Sequence, residues 1–446
     1  MLANLQKSLR RRLPHHSIVY AHARAAVSRH RLPPGKLVRL DEVEKAERSF
    51  LLNQSARLGP IFKAIGWNEF WICIVGLPIG RRLLRDHGDD LKPMTLDVSA
   101  LFPRGFLRQM QGEEHRKYRK SLNRAIKPDD LAESTRGLEA IATRALARYA
   151  ATEGEHHNAA DAYIATLSTI TSEMMIQLFF GATSGTEAFD RLMAGYRKLG
   201  PYGLVWNITA KQEEAFAEIR AYLIARFSGD PAQLPPAMRQ SVLGRMVEDG
   251  MPDAVMMGNL IYMVETGRYD SYSLFRWLTK HAADHPAMLD RIAQEDQAEP
   301  QPGKSFTEAF VLETLRMDQS ERLMRRAQRD FVFDGYLIPK YATVRVCLWE
   351  SHKAPDAFPA PFHFDPERFL HQPPTGEQFA PFGLDHHRCP FGDMSLKMSV
   401  VFLRMLARAH TVTPLGDGLP VRGAYHWEPA SKFGARLRPR ALPPTP

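Results

Sequence analysis

The chain has 446 residues, 44% hydrophobic and 24% charged, a composition that excludes disordered, fibrous and disulfide-stapled proteins. Its three cysteines, Cys73, Cys347 and Cys389, are too few and too scattered for a disulfide framework or a zinc cluster, and fit a reducing compartment. The net charge of +9 is local: the first 40 residues hold nine Lys/Arg and no acid, and the other 50 basic residues are matched by 50 acidic ones. A balanced body argues against nucleic acid as a partner.

The basic arm, residues 1–32, reads as a solvated helix, the alternatives being weak contact with an anionic membrane surface or an Arg-rich targeting segment. Met1 to Pro14 has no apolar signal core, and no window offers about 18 consecutive apolar residues, so no transmembrane segment is expected and the location is expected to be cytoplasmic. Arg31-Leu32-Pro33-Pro34-Gly35 breaks the chain before a single body at 33–446. Leu40 to Leu58 is helical, and Ile61–Phe62 and Phe70–Val75 read as strands. Residues 130–230 are mostly helix-like, broken at Gly200-Pro201-Tyr202-Gly203. Met251 to Ala283 reads as one long helix starting near Pro252-Asp253 and stopping before His285-Pro286. Phe306 to Met317 is a helix opened by Ser305 and Glu308 at capping-box spacing. Phe331 to Leu348 alternates around the turn Asp334-Gly335, and Val400 to Ala409 is a last apolar helix. The fold class is mainly α with minor β.

The chemistry concentrates late in the chain. Phe382-Gly383-Leu384-Asp385-His386-His387-Arg388-Cys389-Pro390-Phe391-Gly392 sets one cysteine in a Gly-bearing loop rich in His and Arg, ahead of a helix-like stretch. A cysteine near a helix N-terminus and beside cations is held as thiolate, and thiolate is a strong axial ligand for haem iron. Alone, such a cysteine is an inert loop residue as readily as a ligand. Glu313-Thr314-Leu315-Arg316 puts a carboxylate and a guanidinium at i and i+3 of one helix. Phe364-Asp365-Pro366-Glu367-Arg368-Phe369 adds a second arginine in a Pro-broken loop. Each alone is by default a surface ion pair.

Together, in this order and spacing, the three motifs resemble the cytochrome P-450 superfamily. The resemblance covers most of the chain and implies its fold, a single large helical domain with small β-sheets. It implies haem b with Cys389 as the iron ligand. His115 and Arg119 in Gly112-Glu113-Glu114-His115-Arg116-Lys117-Tyr118-Arg119, Arg325 and His387 are then the residues that meet the haem propionates. Glu313, Arg316 and Arg368 would form a buried charge network.

Two segments depart from the family pattern. Asp385 stands where the haem loop usually has Gly, and Phe391 stands where Cys-x-Gly is usual. In the long helix the family run is a small residue, Gly, any residue, an acid, then Thr; here it is Thr266-Gly267-Arg268-Tyr269-Asp270-Ser271. At about 100° per residue, Asp270 and Ser271 share the Gly267 face while Tyr269 points away. Asp270 and Ser271 are therefore the candidates for oxygen and proton handling.

The resemblance implies a monooxygenase inserting one atom of O2 into an apolar small molecule, with electrons from a ferredoxin or flavodoxin-type partner and its reductase. Candidate substrate walls are Leu101 to Leu107, Leu199 to Ile208 and Met263 to Tyr269. The alternatives are a peroxide-driven peroxygenase, for which a helix arginine such as Arg268 is suggestive, a non-oxidative dehydratase or isomerase, and a non-catalytic haem-binding sensor.

Overall fold

The computed structural model describes residues 16–94, 98, 101–102, 105–127, 132–152, 158–200, 208–250, 253–297, 303–318, 323–422 and 427–440. The first half of the basic arm, Pro103 and Arg104 of one expected substrate wall, residues 201–207 of another and Met251-Pro252 lie outside them. The chain divides into two compact units, each assembled from separated stretches of sequence.

The first unit takes Met1–Met94, Leu315–Arg388 and Pro420–Trp427. Its frame is a five-stranded sheet in the order Ile61–Gly66, Glu69–Ile74, Thr343–Val346, Leu323–Ala327, Leu91–Pro93. The first two strands form a hairpin whose turn residues, Trp67 and Asn68, both have positive φ (52° and 63°), the geometry whose twist matches the strands it joins. The second strand then runs parallel to Thr343–Val346, with Ile72 opposite Val344. One side of the sheet buries Ile61, Phe70, Ile72, Ile74 and Val344 in a common core.

That core includes the second half of the basic arm. Helix His16–Val27 buries Ser17, Ile18 and Ala21, and the Ser17 hydroxyl accepts the N–H of Phe70 at 3.0 Å. Tyr20 and Arg24 both donate to the Asp330 carboxylate, at 3.2 and 2.6 Å. Charge composition alone reads this stretch as solvated; the apolar pair at i and i+3 and the distant Asp330 explain why it docks.

The second unit takes Thr95–Thr314, Cys389–Leu419 and Glu428–Pro446 and is mainly helical, with one antiparallel pair of strands, His410–Leu415 and Gly434–Pro439. At its centre, helix Ala254–Asp284 packs against Ala159–Phe180 and Gly392–Ala409. It starts at Asp253, whose Oδ1 accepts the N–H groups of Val255 and Met256 at 3.1 and 2.9 Å, so Asp253 is the cap. It ends at His285, ahead of Pro286. An added Cβ at Gly267 would collide with the Met175 methyl of Ala159–Phe180, so this glycine lets the two helices approach closely. On another side Phe275 stacks on Phe402 of Gly392–Ala409 at 4.2 Å. Among the described residues no helix is long and apolar enough to cross a membrane.

Candidate active site

In the second unit, Cys389 lies three residues ahead of helix Gly392–Ala409, whose N-cap residue Phe391 packs on Phe179 at 5.2 Å between ring centres. Cys389 is partly exposed, whereas Cys73 and Cys347 are buried. Burial and the neighbouring Cys73 push the Cys347 thiol well above its ordinary value, which makes it inert as a ligand. Only Cys389 combines access with the favourable end of a helix dipole.

Helix Gly112–Ala125 is strongly two-sided. His115 is buried and Arg119, one turn on, is half-buried, while Arg116, Lys117, Lys120 and Arg124 are exposed. The inner pair is thus set on one face by i, i+4 spacing.

The long helix is buried nearly all round, but Met263, Thr266, Gly267 and Asp270 keep accessible surface at i, i+3, i+4 and i+7. Asp270 is the exposed member of this stripe; Ser271 is buried, 3% exposed. At the N-terminal end of the stripe sits an aromatic cluster. Phe102 and Phe106 stack at 4.7 Å, Tyr262 meets both edge-on, and Phe216 of helix Ala210–Phe227 meets Phe102 at 5.7 Å. Asn259 holds the loop in place, accepting the Leu107 N–H at 2.8 Å and donating to the Gly105 carbonyl at 3.3 Å.

The two residues between Gly267 and Asp270 are both engaged. Tyr269 donates its hydroxyl to Glu428. Arg268 makes a bidentate pair with Glu265, Nε to Oε2 at 2.8 Å and Nη2 to Oε1 at 2.7 Å, and the same Nη2 reaches the Gly200 carbonyl at 2.5 Å. Burial pushes the Glu265 carboxyl up, against the opposing pull of Arg268. Arg268 is therefore committed to protein partners rather than presented to a substrate acid. The Glu265–Arg268 pair was missed in the sequence although its i, i+3 spacing is a local signal; the Glu428 partner of Tyr269 has no such signal.

In the first unit, Arg325 on strand Leu323–Ala327 is buried and pairs with Asp385 at 2.5 Å. Asp385 also accepts the His387 N–H at 2.9 Å. Burial alone pushes the Asp385 carboxyl up, but Arg325 and His387 outweigh it and hold it below the usual carboxylate range. Asp385 thus joins the strand arginine to the loop at 382–388, a role that sequence reading missed because the two residues lie 60 positions apart.

Arg316 is fully buried and donates to the carbonyls of His352, Pro361 and His363 at 3.1, 2.8 and 3.3 Å. Arg368 donates to Pro359 and to the same His363 carbonyl, at 3.1 and 3.3 Å. The two arginines thereby pin one irregular segment, 352–368. His352 is fully buried, and its Nε2 accepts the Ala380 N–H at 3.0 Å. Glu313, in the second unit, is also fully buried.

The family model that matches is that of cytochrome P450, over residues 275–418. The chain is 27% identical to abscisic acid 8'-hydroxylase 1 of Oryza sativa, over 88% of this chain and 83% of that protein. It is 25% identical to ent-kaurenoic acid oxidase 2 of Arabidopsis thaliana, over 63% of each. Among solved structures, a retinoic acid-bound cyanobacterial CYP120A1 superposes with a TM-score of 0.72 at 21% identity, covering 93% of this chain and all of that one. A zebra fish cytochrome P450 with abiraterone gives 0.68 at 16% identity, covering 88% of this chain and all of that one. Residues 275–418 match the cytochrome P450 family, the fold is the mainly helical one of the cytochrome P450 structures, and the family match and the hydroxylase and oxidase relatives together support a cytochrome P450 monooxygenase. Its cofactor is haem, with iron ligated by a cysteine thiolate, and enzymes of this kind act on small molecules with a redox partner.

Proposed function

We propose that Cys389 is the thiolate ligand and that the enzyme hydroxylates an apolar organic acid. The carrying observation is that Cys389 is the one accessible thiol of three and lies just ahead of a helix N-terminus. The substrate class is supported by the relatives, an abscisic acid hydroxylase and an ent-kaurenoic acid oxidase.

The bound haem supplies O2 activation and oxygen insertion into a C–H bond. The protein's part is binding, orientation and proton supply. By the roles the family resemblance implies, buried His115 and half-buried Arg119 on one helix face of the second unit, and Arg325 and His387 beside Asp385 in the first, would be the hydrogen-bond donors to haem propionates. Phe102, Phe106, Phe216 and Tyr262 offer a water-excluding wall for an apolar skeleton. The exposed Asp270 carboxylate can take up a proton from solvent at its Oδ atoms. Ser271, buried one residue on, is the neighbouring hydroxyl.

The exposed Arg116, Lys117, Lys120 and Arg124 suit an acidic ferredoxin or flavodoxin-type electron donor. The test is turnover of abscisic acid and ent-kaurenoic acid with NADPH, reductase and ferredoxin under 18O2. One labelled oxygen per product, electron-dependent and weakened by salt, is expected. Product formed only with peroxide and not with the electron-transfer partners, or formed with neither peroxide nor electrons, refutes the monooxygenase cycle for these substrates.

A further inference from the structure

We infer that Glu265 and Arg268 form a latch that positions the helical hairpin carrying part of the substrate wall. The inference rests on the wall assignment above but not on any property of the bound haem.

Helix Glu187–Leu199 ends at Gly200, which has a positive φ of 101°. A helix end leaves its last carbonyls without intrahelical donors. Here side chains from other helices satisfy three of them. Gln212 donates to the Leu199 carbonyl at 2.7 Å. Arg268 reaches the Gly200 carbonyl at 2.5 Å and the Tyr196 carbonyl at 3.4 Å. A cation at a helix C-terminus is also favoured by the helix dipole. The fixing is reciprocal, because the buried Tyr196 hydroxyl donates back to the Ile261 carbonyl of the long helix at 3.3 Å. Two side chains running in opposite directions thus tie the helix end to the long helix.

Glu265 explains how this arginine is tolerated. Arg268 is 9% exposed and Glu265 1%, and a buried guanidinium without a counter-charge is strongly unfavourable. The bidentate pair uses Nε and one Nη2 proton and fixes the guanidinium plane, so the same Nη2 points at the helix end.

The consequence reaches the wall through packing. Helix Glu187–Leu199 is tightly apposed to Ala210–Phe227, where an added Cβ at Gly195 would press on Ile219. Phe216 of that second helix is the ring that meets Phe102 in the aromatic cluster. Releasing the latch lets the pair of helices drift and opens the cluster at Phe216. Glu265 and Arg268 are positioning residues: the pair sets the shape of the wall and touches no reacting atom.

The test uses the full chain and two variants, Arg268→Gln and Arg268→Lys. Hydrogen exchange of amides 192–200 is measured with and without haem. In Arg268→Gln these amides exchange at least roughly tenfold faster while amides 270–284 are unchanged, and Arg268→Lys recovers part of the protection. In the haem-loaded protein, iron-binding azoles read the wall, imidazole serving as the small probe and clotrimazole as the bulky one. The clotrimazole-to-imidazole affinity ratio shifts by about fivefold or more in Arg268→Gln, because only the bulky probe reaches the wall. Unchanged exchange at 192–200 overturns the latch, as does an equal rise along the whole long helix, which would mean that the pair serves only its own helix. Released exchange with an unchanged affinity ratio overturns the link to the wall. A protein that takes up no haem refutes the proposed function but leaves the exchange result to decide the latch.

Discussion

Asp385 shows what one substituted side chain can reorganise. Where the family loop has glycine, this chain places a carboxylate that holds Arg325 and caps the His387 N–H. Asp385→Asn keeps the shape and removes the charge, leaving the buried Arg325 uncompensated. Haem loading should fall and the variant should lose stability, with about 3–5 kcal/mol as the upper range for breaking a buried pair; haem content per protein and urea midpoint check this. Cys389→Ala should abolish the red-shifted absorption of the ferrous carbon monoxide form, and retention of that band would move the ligand elsewhere. Asp270→Asn should uncouple electron use from product, measured as NADPH consumed per hydroxylated molecule. Unchanged coupling would leave Asp270 as a solvated surface acid. The residues proposed to carry the chemistry could be picked out as candidates because they sit in short local motifs whose spacing survives in one sequence. The partners Asp385–Arg325 and Tyr269–Glu428 were not, since each joins positions far apart in sequence, and no local pattern announces them.

At the scale of elements, the helices with local start and stop signals were read nearly to the residue. Ser305 caps Phe306–Met317 by accepting the Glu308 N–H at 3.0 Å, and Pro286 fixes the end of the long helix. The start of that helix was read two or three residues early, because Asp253 rather than Pro252 makes the cap. The irregular segment 352–368 carried no periodicity, and its order comes instead from Arg316 and Arg368 binding its carbonyls. Arg316→Ala should therefore leave several buried carbonyls without donors and yield little folded, haem-loaded protein. The same segment predicts a pH effect. Burial, with Lys353 and Arg316 close by, holds the His352 imidazole well below its usual value of 6.5. The native state thus refuses a proton that the unfolded chain accepts below about pH 6.5. Stability is complete above that pH and declines by up to about 1.4 kcal/mol per unit below it. Urea unfolding at several pH values should show a shallower acid slope in His352→Gln than in the parent; parallel slopes would exclude this imidazole as the cause.

On the scale of the whole molecule, composition located the charge excess but not its structural use. The described part of the basic arm carries a 12-residue helix built into the first unit, held by Ile18, Ala21 and Ser17 and by two donors on Asp330. A chain begun at Arg31 should lose roughly 1.5–3 kcal/mol for Ile18 alone, seen as a lower melting temperature. An unchanged melting temperature would show that the helix is an appendage. Helix-rich character was legible from periodicity, whereas the five-stranded order of the sheet was not, since its strands come from residues 61–93 and 323–346 and pair only after the intervening chain has folded elsewhere. The contrast among the three cysteines has a practical result. With Cys73 and Cys347 sealed in the interior, an alkylating reagent or a fluorophore applied to haem-free native protein should attach once, at Cys389. The chain thus carries a built-in, site-selective handle, whose loss of labelling on addition of haem would follow cofactor capture in real time without any substrate.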